Sequence, residues 1–157
     1  ALLHWPQERL AGGVCCPAQL DELERLSPAR RMLVEAAEID WLNPSPDQLE
    51  AAKSAAASTG DLPRLSTVDL EVLALSLGLQ CPLVTDDYRL QNVAMKAGIE
   101  ARSLATSGAK QQWSWVWRCT GCGKEHGVDA NTQRRRDGPG PTCDVCGSPT
   151  VMKRARR

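Results

Sequence analysis

Residues 66–104 read STVDLEVLALSLGLQCPLVTDDYRLQNVAMKAGIEARSL, and this stretch decides the fold class. Ser66, followed three residues later by Asp69, forms a capping-box pattern that predicts a helix from there to Leu79. Three further elements are predicted after it: a buried strand at 82–85, a helix at 88–97 and a strand at 99–104. Helices and strands that alternate in this way are typical of an α/β fold, with helices flanking a parallel sheet.

The composition and the charge distribution narrow the class of protein. Of the 157 residues, 42% are apolar and 24% are charged, which excludes a compositionally disordered chain. The sequence has no apolar run of the ~18 residues that a membrane span needs, and no signal-peptide pattern at its start. Basic and acidic residues number 19 each, but residues 1–110 carry ten basic and fifteen acidic side chains, whereas residues 111–157 carry nine and four. An acidic body therefore precedes a basic tail.

Four of the seven cysteines form two CxxC pairs, which are Cys119 with Cys122 and Cys143 with Cys146. Two such turns aim four thiolates at one ion, and this pattern predicts a closed tetrahedral zinc site within a zinc ribbon. Iron in the same geometry and a pair of disulfides are the alternatives. The odd cysteine count and the lack of a signal sequence favour a cytoplasmic protein with reduced thiols over a secreted disulfide framework.

Acidic side chains of the body lie where a cation site would form. Asp86 and Asp87 come directly after the strand at 82–85, at the edge where ligands bind in open parallel sheets. Asp69 and Glu22 lie on helices that would pack near the same edge in a compact fold. Clustered carboxylates are stabilised by a hard divalent ion such as Mg²⁺ or Mn²⁺. The alternative is a local role, as a helix cap for each Asp and as a solvated charge for Glu22.

Three segments of the body resemble the motifs of PIN-domain ribonucleases. They are PAQLDEL at 17–23, like the helix that bears the family's glutamate, STVDLEVLAL at 66–75, like the helix of the third acid, and VTDDYRLQNVA at 84–94, like the strand-end acid motif. Together with the two CxxCG turns, the pattern is similar to that of the archaeal endoribonucleases with a PIN domain and a zinc ribbon that mature the 3′ end of small-subunit ribosomal RNA. The resemblance covers nearly the whole chain.

The resemblance implies a role for each of the four acids. Glu22, Asp69 and Asp87 would bind the catalytic Mn²⁺ or Mg²⁺, and Asp86 would be an auxiliary ligand or only a cap. Asp87 is preferred because it directly precedes the aromatic residue and the Gln-Asn pair of the motif. PIN domains open with a strand that ends in Asp, and the chain from Ala1 onward resembles the segment on the C-terminal side of that acid. We therefore expect a further acid, and most of a first strand, ahead of Ala1.

The domain organisation rests on the same resemblance and on a linker-like Thr-Ser-Gly at 106–108. The predicted divisions are a PIN-like nuclease domain at 1–105, a linker at 106–112, a zinc ribbon at 113–150 and a basic tail at 151–157. Period-two spacing places Trp113, Trp115 and Trp117 on one face of a strand, where packing against the neighbouring domain is favoured over stacking on bases.

Two basic clusters are expected to bind RNA phosphates, and a solvated, frayed surface is the alternative. The candidate RNA-binding residues are Arg134, Arg135, Arg136, Lys153 and Arg154.

The resemblance implies an endoribonuclease that cleaves precursor small-subunit (16S-type) rRNA at its 3′ end during ribosome biogenesis. Its expected partners are that RNA, the precursor of the small ribosomal subunit and its assembly factors; a cytoplasmic monomer is expected. The alternatives are a toxin-type PIN ribonuclease acting on another RNA and a non-catalytic RNA- or pre-ribosome-binding module.

Overall fold

The computed structural model describes residues 2–103, 113–132 and 140–155. We refer to residues 2–103 as the body and to the described residues of 113–155 as the ribbon. The body contains, in chain order, β1 (Gly13–Cys15), α1 (Ala18–Leu26), α2 (Pro28–Glu35), β2 (Ile39–Trp41), α3 (Pro46–Thr59), α4 (Thr67–Leu79), β3 (Leu83–Val84), α5 (Tyr88–Lys96) and β4 (Ala101–Arg102). The ribbon contains β5 (Trp115–Cys119), β6 (Glu125–His126) and β7 (Thr150–Arg154).

The body has the predicted α/β architecture, and its strands pair in parallel. β1 pairs with β2, and Gly13 lies opposite Ile39; β3 pairs with β4, and Leu83 lies opposite Ala101. Each pair is joined by a helical crossover, made by α1 and α2 in the first pair and by α5 in the second. A cavity of about 290 Å³ lies between the two pairs and is lined by both β1 and β3.

The hydrophobic core of the body lies mainly among α3, α4 and α5. Its buried members are Ala52, Ala56, Ala57, Leu62, Leu65, Leu73, Ala74, Leu83, Leu90, Val93, Ala94 and Ile99. The alanines of α3 have small side chains, so the neighbouring α4 can approach that helix closely. A smaller apolar cluster of Leu2, Leu10, Leu23 and Val34 holds α1 and α2 against the first residues of the chain. Among the helices described, none combines the length and the apolar character needed to cross a membrane.

The ribbon is an antiparallel three-stranded sheet in the order β6-β5-β7. Trp117 lies opposite His126 on one side of β5 and opposite Met152 on the other. Trp115 lies opposite Arg154, so β7 continues four residues beyond residue 150, where the sequence places the end of the ribbon. Residues 151–154 therefore belong to the sheet, because their backbone pairs with β5. The predicted linker at 106–112 lies outside the described residues.

Candidate functional site

Three of the four predicted acids line one pocket of the body. This carboxylate pocket, of about 340 Å³, is bordered by Glu22 of α1, Asp69 of α4 and Asp86, which comes after β3. All three side chains are half-buried. The structure thus brings together acids that are distant in the sequence, since 47 residues separate Glu22 from Asp69 and 17 separate Asp69 from Asp86. The position of Asp86 just beyond a parallel strand agrees with the general location of ligand sites in α/β sheets.

Asp69 combines a place at the pocket with a structural role. Its backbone N–H donates to Ser66 Oγ at 3.1 Å, and its Oδ2 accepts from the Ser66 N–H at 2.7 Å, which confirms the predicted capping box. The Ser66 hydroxyl also lies 2.7 Å from the same oxygen. Among the described residues Oδ1 has no such partner, so one carboxylate oxygen of Asp69 is available to a ligand.

The neighbouring acids Asp86 and Asp87 differ in their surroundings. Asp86 Oδ1 accepts a hydrogen bond from the Ser103 hydroxyl at 2.6 Å, which fixes its carboxylate at the pocket. Asp87 is exposed and caps α5: its Oδ1 accepts from the Arg89 backbone N–H at 2.8 Å. The sequence favours Asp87 as the metal-binding acid, whereas the residue that lines the carboxylate pocket is Asp86.

The carboxylate pocket has the donor chemistry of a hard divalent cation site. Among the described residues, groups of three or more ligating atoms within 4.8 Å of one another occur in the ribbon. Glu22, Asp69 and Asp86 do not form such a group. Mg²⁺ retains several waters and is often held by one or two carboxylates together with substrate phosphates. Acids that do not form a closed cage can therefore still serve such an ion when substrate phosphates complete its coordination.

The four cysteines of the CxxC pairs converge in the ribbon, as predicted. Their sulfurs all lie within 4.8 Å of one another, with Cys119 Sγ 3.3 Å from Cys146 Sγ and Cys122 Sγ 3.7 Å from Cys143 Sγ. A tetrahedral zinc with Zn–S bonds of about 2.3 Å separates its sulfurs by about 3.8 Å, so this cluster fits a zinc ion. A closed site of four sulfurs leaves no position for a substrate, which makes the role structural.

Local hydrogen bonds favour the thiolate form of Cys119 and Cys146. The backbone N–H groups of Cys122 and Gly121 donate to Cys119 Sγ at 3.4 and 3.3 Å and lower the pKa of that thiol. Hydrogen bonds from the side chain and the backbone of Ser148 lower the pKa of Cys146 to about 6. The pKa of Cys122 is instead raised to about 11: the Lys124 backbone hydrogen bond lowers it, but hydrogen bonding to Cys146 and burial outweigh that effect. Since thiolates are the form that binds metal, the local hydrogen bonds prepare Cys119 and Cys146 for this role.

His126 lies beside the cysteine cluster. Its side chain is only 21% exposed. Its Nδ1 lies 3.7 Å from Asp144 Oδ1. One ring nitrogen of His126, one carboxylate oxygen of Asp144 and the sulfur of Cys143 all lie within 4.8 Å of one another. The spacing of His126 outside both CxxC pairs gave no signal of this position.

The described part of the predicted RNA-binding set lies on β7. Lys153 and Arg154 are both exposed, and the Arg154 guanidinium stacks 3.4 Å above the ring of Trp113. This stacking holds the arginine in one orientation while leaving its outer surface to solvent. Arg134, Arg135 and Arg136 lie outside the described residues.

A buried polar group that the sequence does not predict connects the body to the ribbon. Asp61 comes after α3 and is 1% exposed, and Asn92 of α5 is 4% exposed. Asn92 Nδ2 donates to Asp61 Oδ2 at 2.7 Å and to the Trp113 carbonyl at 2.8 Å. Burial is the main cause that raises the pKa of Asp61 above its ordinary value. Asp61 and Asn92 are 31 residues apart and belong to no common motif, so only the tertiary structure reveals the pair.

Comparison with known proteins identifies the family. Residues 7–79 match the model of the PIN domain of ribonuclease. The chain is 38% identical over 120 residues to Endoribonuclease Nob1 of Pyrococcus abyssi, an alignment that covers 76% of this chain and 69% of the relative. It is 35% identical over 117 residues to Endoribonuclease Nob1 of Methanothermobacter thermautotrophicus, an alignment that covers 72% of this chain and 64% of the relative. Ribonuclease VapC1 of Thermoplasma acidophilum is 37% identical over 105 residues, covering 67% of this chain and 49% of the relative.

The chain thus spans between 64% and 69% of the length of these two Nob1 proteins. The PIN match covers the helices that carry Glu22 and Asp69, and the alignments to both Nob1 proteins cover more than two thirds of this chain. The parallel strand pairs and the four-cysteine ribbon agree with the fold that the PIN motifs predict. The chain belongs to the Nob1 family of PIN-domain endoribonucleases.

Proposed function

We propose that this protein is a metal-dependent endoribonuclease that cleaves precursor small-subunit rRNA at its 3′ end. The observation that carries the proposal is the carboxylate pocket, where Glu22, Asp69 and Asp86 arrive from three separate elements of a PIN body. The relatives named Endoribonuclease Nob1 support the reaction class.

In this proposal the three acids hold a Mg²⁺ or Mn²⁺ ion. Such an ion lowers the pKa of a bound water and neutralises charge that develops on the phosphate. Ser103 and Ser66 hold Asp86 and Asp69 in place through short hydrogen bonds, so two of the carboxylates are oriented before substrate arrives. Asp87 adds negative charge beside the pocket while capping α5. The expected products carry a 3′-hydroxyl and a 5′-phosphate.

The ribbon would hold the RNA and owe its fold to zinc. Arg154, Lys153 and the arginines at 134–136 would bind phosphates, with release of counterions and a strong dependence on salt. We place the nuclease body at 1–105, the linker at 106–112 and the ribbon from 113 to the end of β7 at residue 154, because β7 completes the sheet. The small-subunit precursor and its assembly factors as partners, a monomeric state and a cytoplasmic location stay predictions.

A second ribonuclease function is favoured by the similarity to Ribonuclease VapC1. A PIN enzyme of that kind would act on another RNA with the same acids. The four-cysteine cluster separates the two candidates, because it belongs to the ribbon that would present a long precursor RNA to the body. A non-catalytic RNA-binding module is the third possibility and predicts binding without cleavage.

The test is cleavage, in the presence of Mn²⁺, of a precursor fragment that extends beyond the 3′ end of the small-subunit rRNA. An unrelated structured RNA, incubated under the same conditions, is the comparison. The proposal expects one cut in the precursor, loss of cleavage in Glu22→Gln and Asp69→Asn, and unchanged binding of the RNA by both variants. Equal cleavage of both RNAs would favour the second candidate. Binding by the wild-type protein without any cleavage would favour the module.

A further inference from the structure

The buried pair of Asp61 and Asn92 does more than fill space between two helices. The Asn92 amide bonds the backbone of Trp113 in both directions, since Nδ2 donates to the Trp113 carbonyl at 2.8 Å and Oδ1 accepts from the Trp113 N–H at 2.8 Å. The side chain therefore pairs with the ribbon as a neighbouring strand would. Its second Nδ2 hydrogen goes to Asp61 Oδ2. Both donors and the acceptor of this amide are satisfied, as a buried amide requires.

Asp61 and the main chain of Trp113 together determine which way the amide points. An asparagine amide has nearly the same shape after a flip, and the flipped form would place a donor against the Trp113 N–H. A carboxylate accepts hydrogen bonds and does not donate them, so Asp61 Oδ2 at 2.7 Å requires the Nδ2 end of Asn92 on its side. Oδ1 is then left facing the N–H of Trp113. Burying an acid at this point is costly, and orienting the amide is the contribution that the acid makes.

A second contact holds the same part of the ribbon. Gly60 ends α3 in the left-handed conformation, with φ of 77°. A Cβ at this position would overlap the carbonyl oxygen of Trp115, so only glycine allows the backbone of the body to approach β5 this closely. The main chain of Trp113 is thus hydrogen-bonded to the body, and that of Trp115 packs directly against Gly60.

The fixed segment connects the proposed RNA contact to the proposed reaction centre. Arg154 stacks on the ring of Trp113, whose backbone is held by Asn92. Asn92 lies six residues after Asp86 along the chain, and about 8 Å of helix rise separates it from the cap of α5 at Asp87. A single set of contacts therefore runs from the ribbon arginine to the helix that begins at the carboxylate pocket.

We propose that Asn92, oriented by Asp61, is a positioning residue that docks the ribbon onto the nuclease body so that RNA bound by the ribbon reaches the carboxylate pocket. The delivery of RNA to the carboxylate pocket rests on the proposed function. The docking of the ribbon onto the body does not, and it is measured without RNA. It assigns Asn92 no contact with the reacting atoms.

The docking is tested by hydrogen exchange of the Trp113 amide in the full, zinc-loaded chain. Asn92→Leu removes the amide at similar volume, and Asn92→Ala is the second variant should leucine not be accommodated. We expect the Trp113 amide to exchange about tenfold faster or more in these variants, because its acceptor is lost. Val93→Ala is the matched control: it weakens the core of α5 next to Asn92 and leaves the Trp113 acceptor in place. Unchanged protection of Trp113 in both Asn92 variants would overturn the proposal.

The role of Asp61 is tested by comparing two substitutions. Asp61→Asn retains an oxygen that accepts from Asn92 Nδ2 and should keep the slow exchange of Trp113. Asp61→Leu removes this acceptor and should speed the exchange, by less than the Asn92 variants do because the Trp113 carbonyl still accepts from Nδ2. Equal behaviour of Asp61→Asn and Asp61→Leu would contradict the orienting role.

The catalytic part is tested with two RNAs under single-turnover conditions with Mn²⁺. One is a precursor fragment long enough to contact ribbon and body, and the other is a short single-stranded oligonucleotide that fills the carboxylate pocket alone. We expect Asn92→Leu to lower kcat/KM about tenfold for the long RNA and to leave the short one unchanged, whereas Val93→Ala affects neither. Faster Trp113 exchange with normal cleavage of the long RNA would show that docking does not serve cleavage and would overturn this part. If the wild-type protein cuts neither RNA, the proposed function fails and the exchange data decide the docking alone.

Discussion

The hydroxyl of Ser103 donates a hydrogen bond of 2.6 Å to Asp86 Oδ1, while the adjacent Asp87 caps α5. Neighbours in the sequence therefore have separable roles. We expect Asp86→Asn to lower the single-turnover rate of cleavage by about 100-fold or more, because it removes a metal-binding charge. Asp87→Asn is the control, since asparagine caps a helix as well as aspartate does. The reverse result, with Asp87→Asn inactive and Asp86→Asn active, would return the role to the acid that the sequence favours.

Removal of the metal should unfold the ribbon and leave the body folded. Between residues 119 and 146, Cys119 and Cys143 are the buried side chains of the described ribbon, so we expect metal binding to supply most of its stability. A strong chelator, or Cys143→Ser, is expected to collapse the amide resonances of β5 to β7 while those of α3, α4 and α5 keep their dispersion. Ribbon resonances that persist after complete loss of metal would contradict the zinc assignment.

Gly60 and Gly98 provide a matched pair for the contact between body and ribbon. Both have positive φ, 77° and 82°, but a Cβ on Gly98 meets nothing within 4 Å, whereas one on Gly60 overlaps Trp115. Gly98→Ala should cost about 1 kcal/mol from backbone strain alone. Gly60→Ala should cost about 1–3 kcal/mol more because of the overlap. Denaturant unfolding of the two variants measures the difference, and equal losses would show that the close approach to β5 does not matter.

The buried carboxyl of Asp61 predicts a pH-dependent stability difference. Burial raises its pKa, so the folded state binds a proton more readily than the unfolded state does. Its favourable contribution is full at pH values below the ordinary pKa of 3.8 and is lost as pH rises through the raised value. Asn92, Thr59 and Arg89 act in the opposite direction, and Asp87 adds to the upward shift.

Asp61→Asn removes this titration while keeping an acceptor for Asn92. Its free energy of unfolding should match that of the wild-type protein near pH 3 and exceed it increasingly as pH rises toward 7. Chemical denaturation across this range measures the difference between the two proteins, in which the contributions of acids that do not interact with Asp61 cancel. A difference that shrinks with rising pH would show that the carboxylate, as the charged form, stabilises the fold.

Arg154 should contribute to RNA affinity through both charge and geometry. We expect Arg154→Ala to weaken binding and to reduce the slope of log affinity against log salt by about 1, as the loss of one phosphate contact does. Arg154→Lys should restore the slope but only part of the affinity, because lysine cannot stack flat on Trp113. Lys53→Ala on the exposed side of α3 is the control for a simple change of net charge. An unchanged slope in Arg154→Ala would leave Arg154 a purely structural residue.

The sequence predicted features whose cause is local. The start of α4 is determined by Ser66 and Asp69, three residues apart, and the cysteine cluster by two tight turns. The resemblance and compactness predicted Glu22, Asp69 and Asp87 at one site, with Asp86 as an auxiliary ligand or a cap. In the structure Asp86 lines the pocket with Glu22 and Asp69 and accepts a hydrogen bond from Ser103, a contact that no spacing rule contains.

Other features could not be predicted because their cause is distant in the chain. β1 is three residues long and has a glycine at its start, so it shows no alternation, and its pairing with β2 defines it. Asp61 lies in a Gly-Asp-Leu-Pro segment that is typical of an exposed loop. Its buried carboxylate accepts from Asn92, 31 residues away, which in turn bonds Trp113 of the ribbon.

The pairing of β5 with β7 has a consequence for how the protein is made. The backbone partners of residues 115–119 are residues 150–154, so the middle strand of the ribbon has no second neighbour until residue 154 has been synthesised. The body, in contrast, has its complete set of described strands by residue 102. At translation speeds of about 5–20 residues per second, the nuclease half exists for about 3–10 s before the half that would hold its RNA can close. A newly made molecule would therefore fold its carboxylate pocket first and its RNA-binding ribbon last.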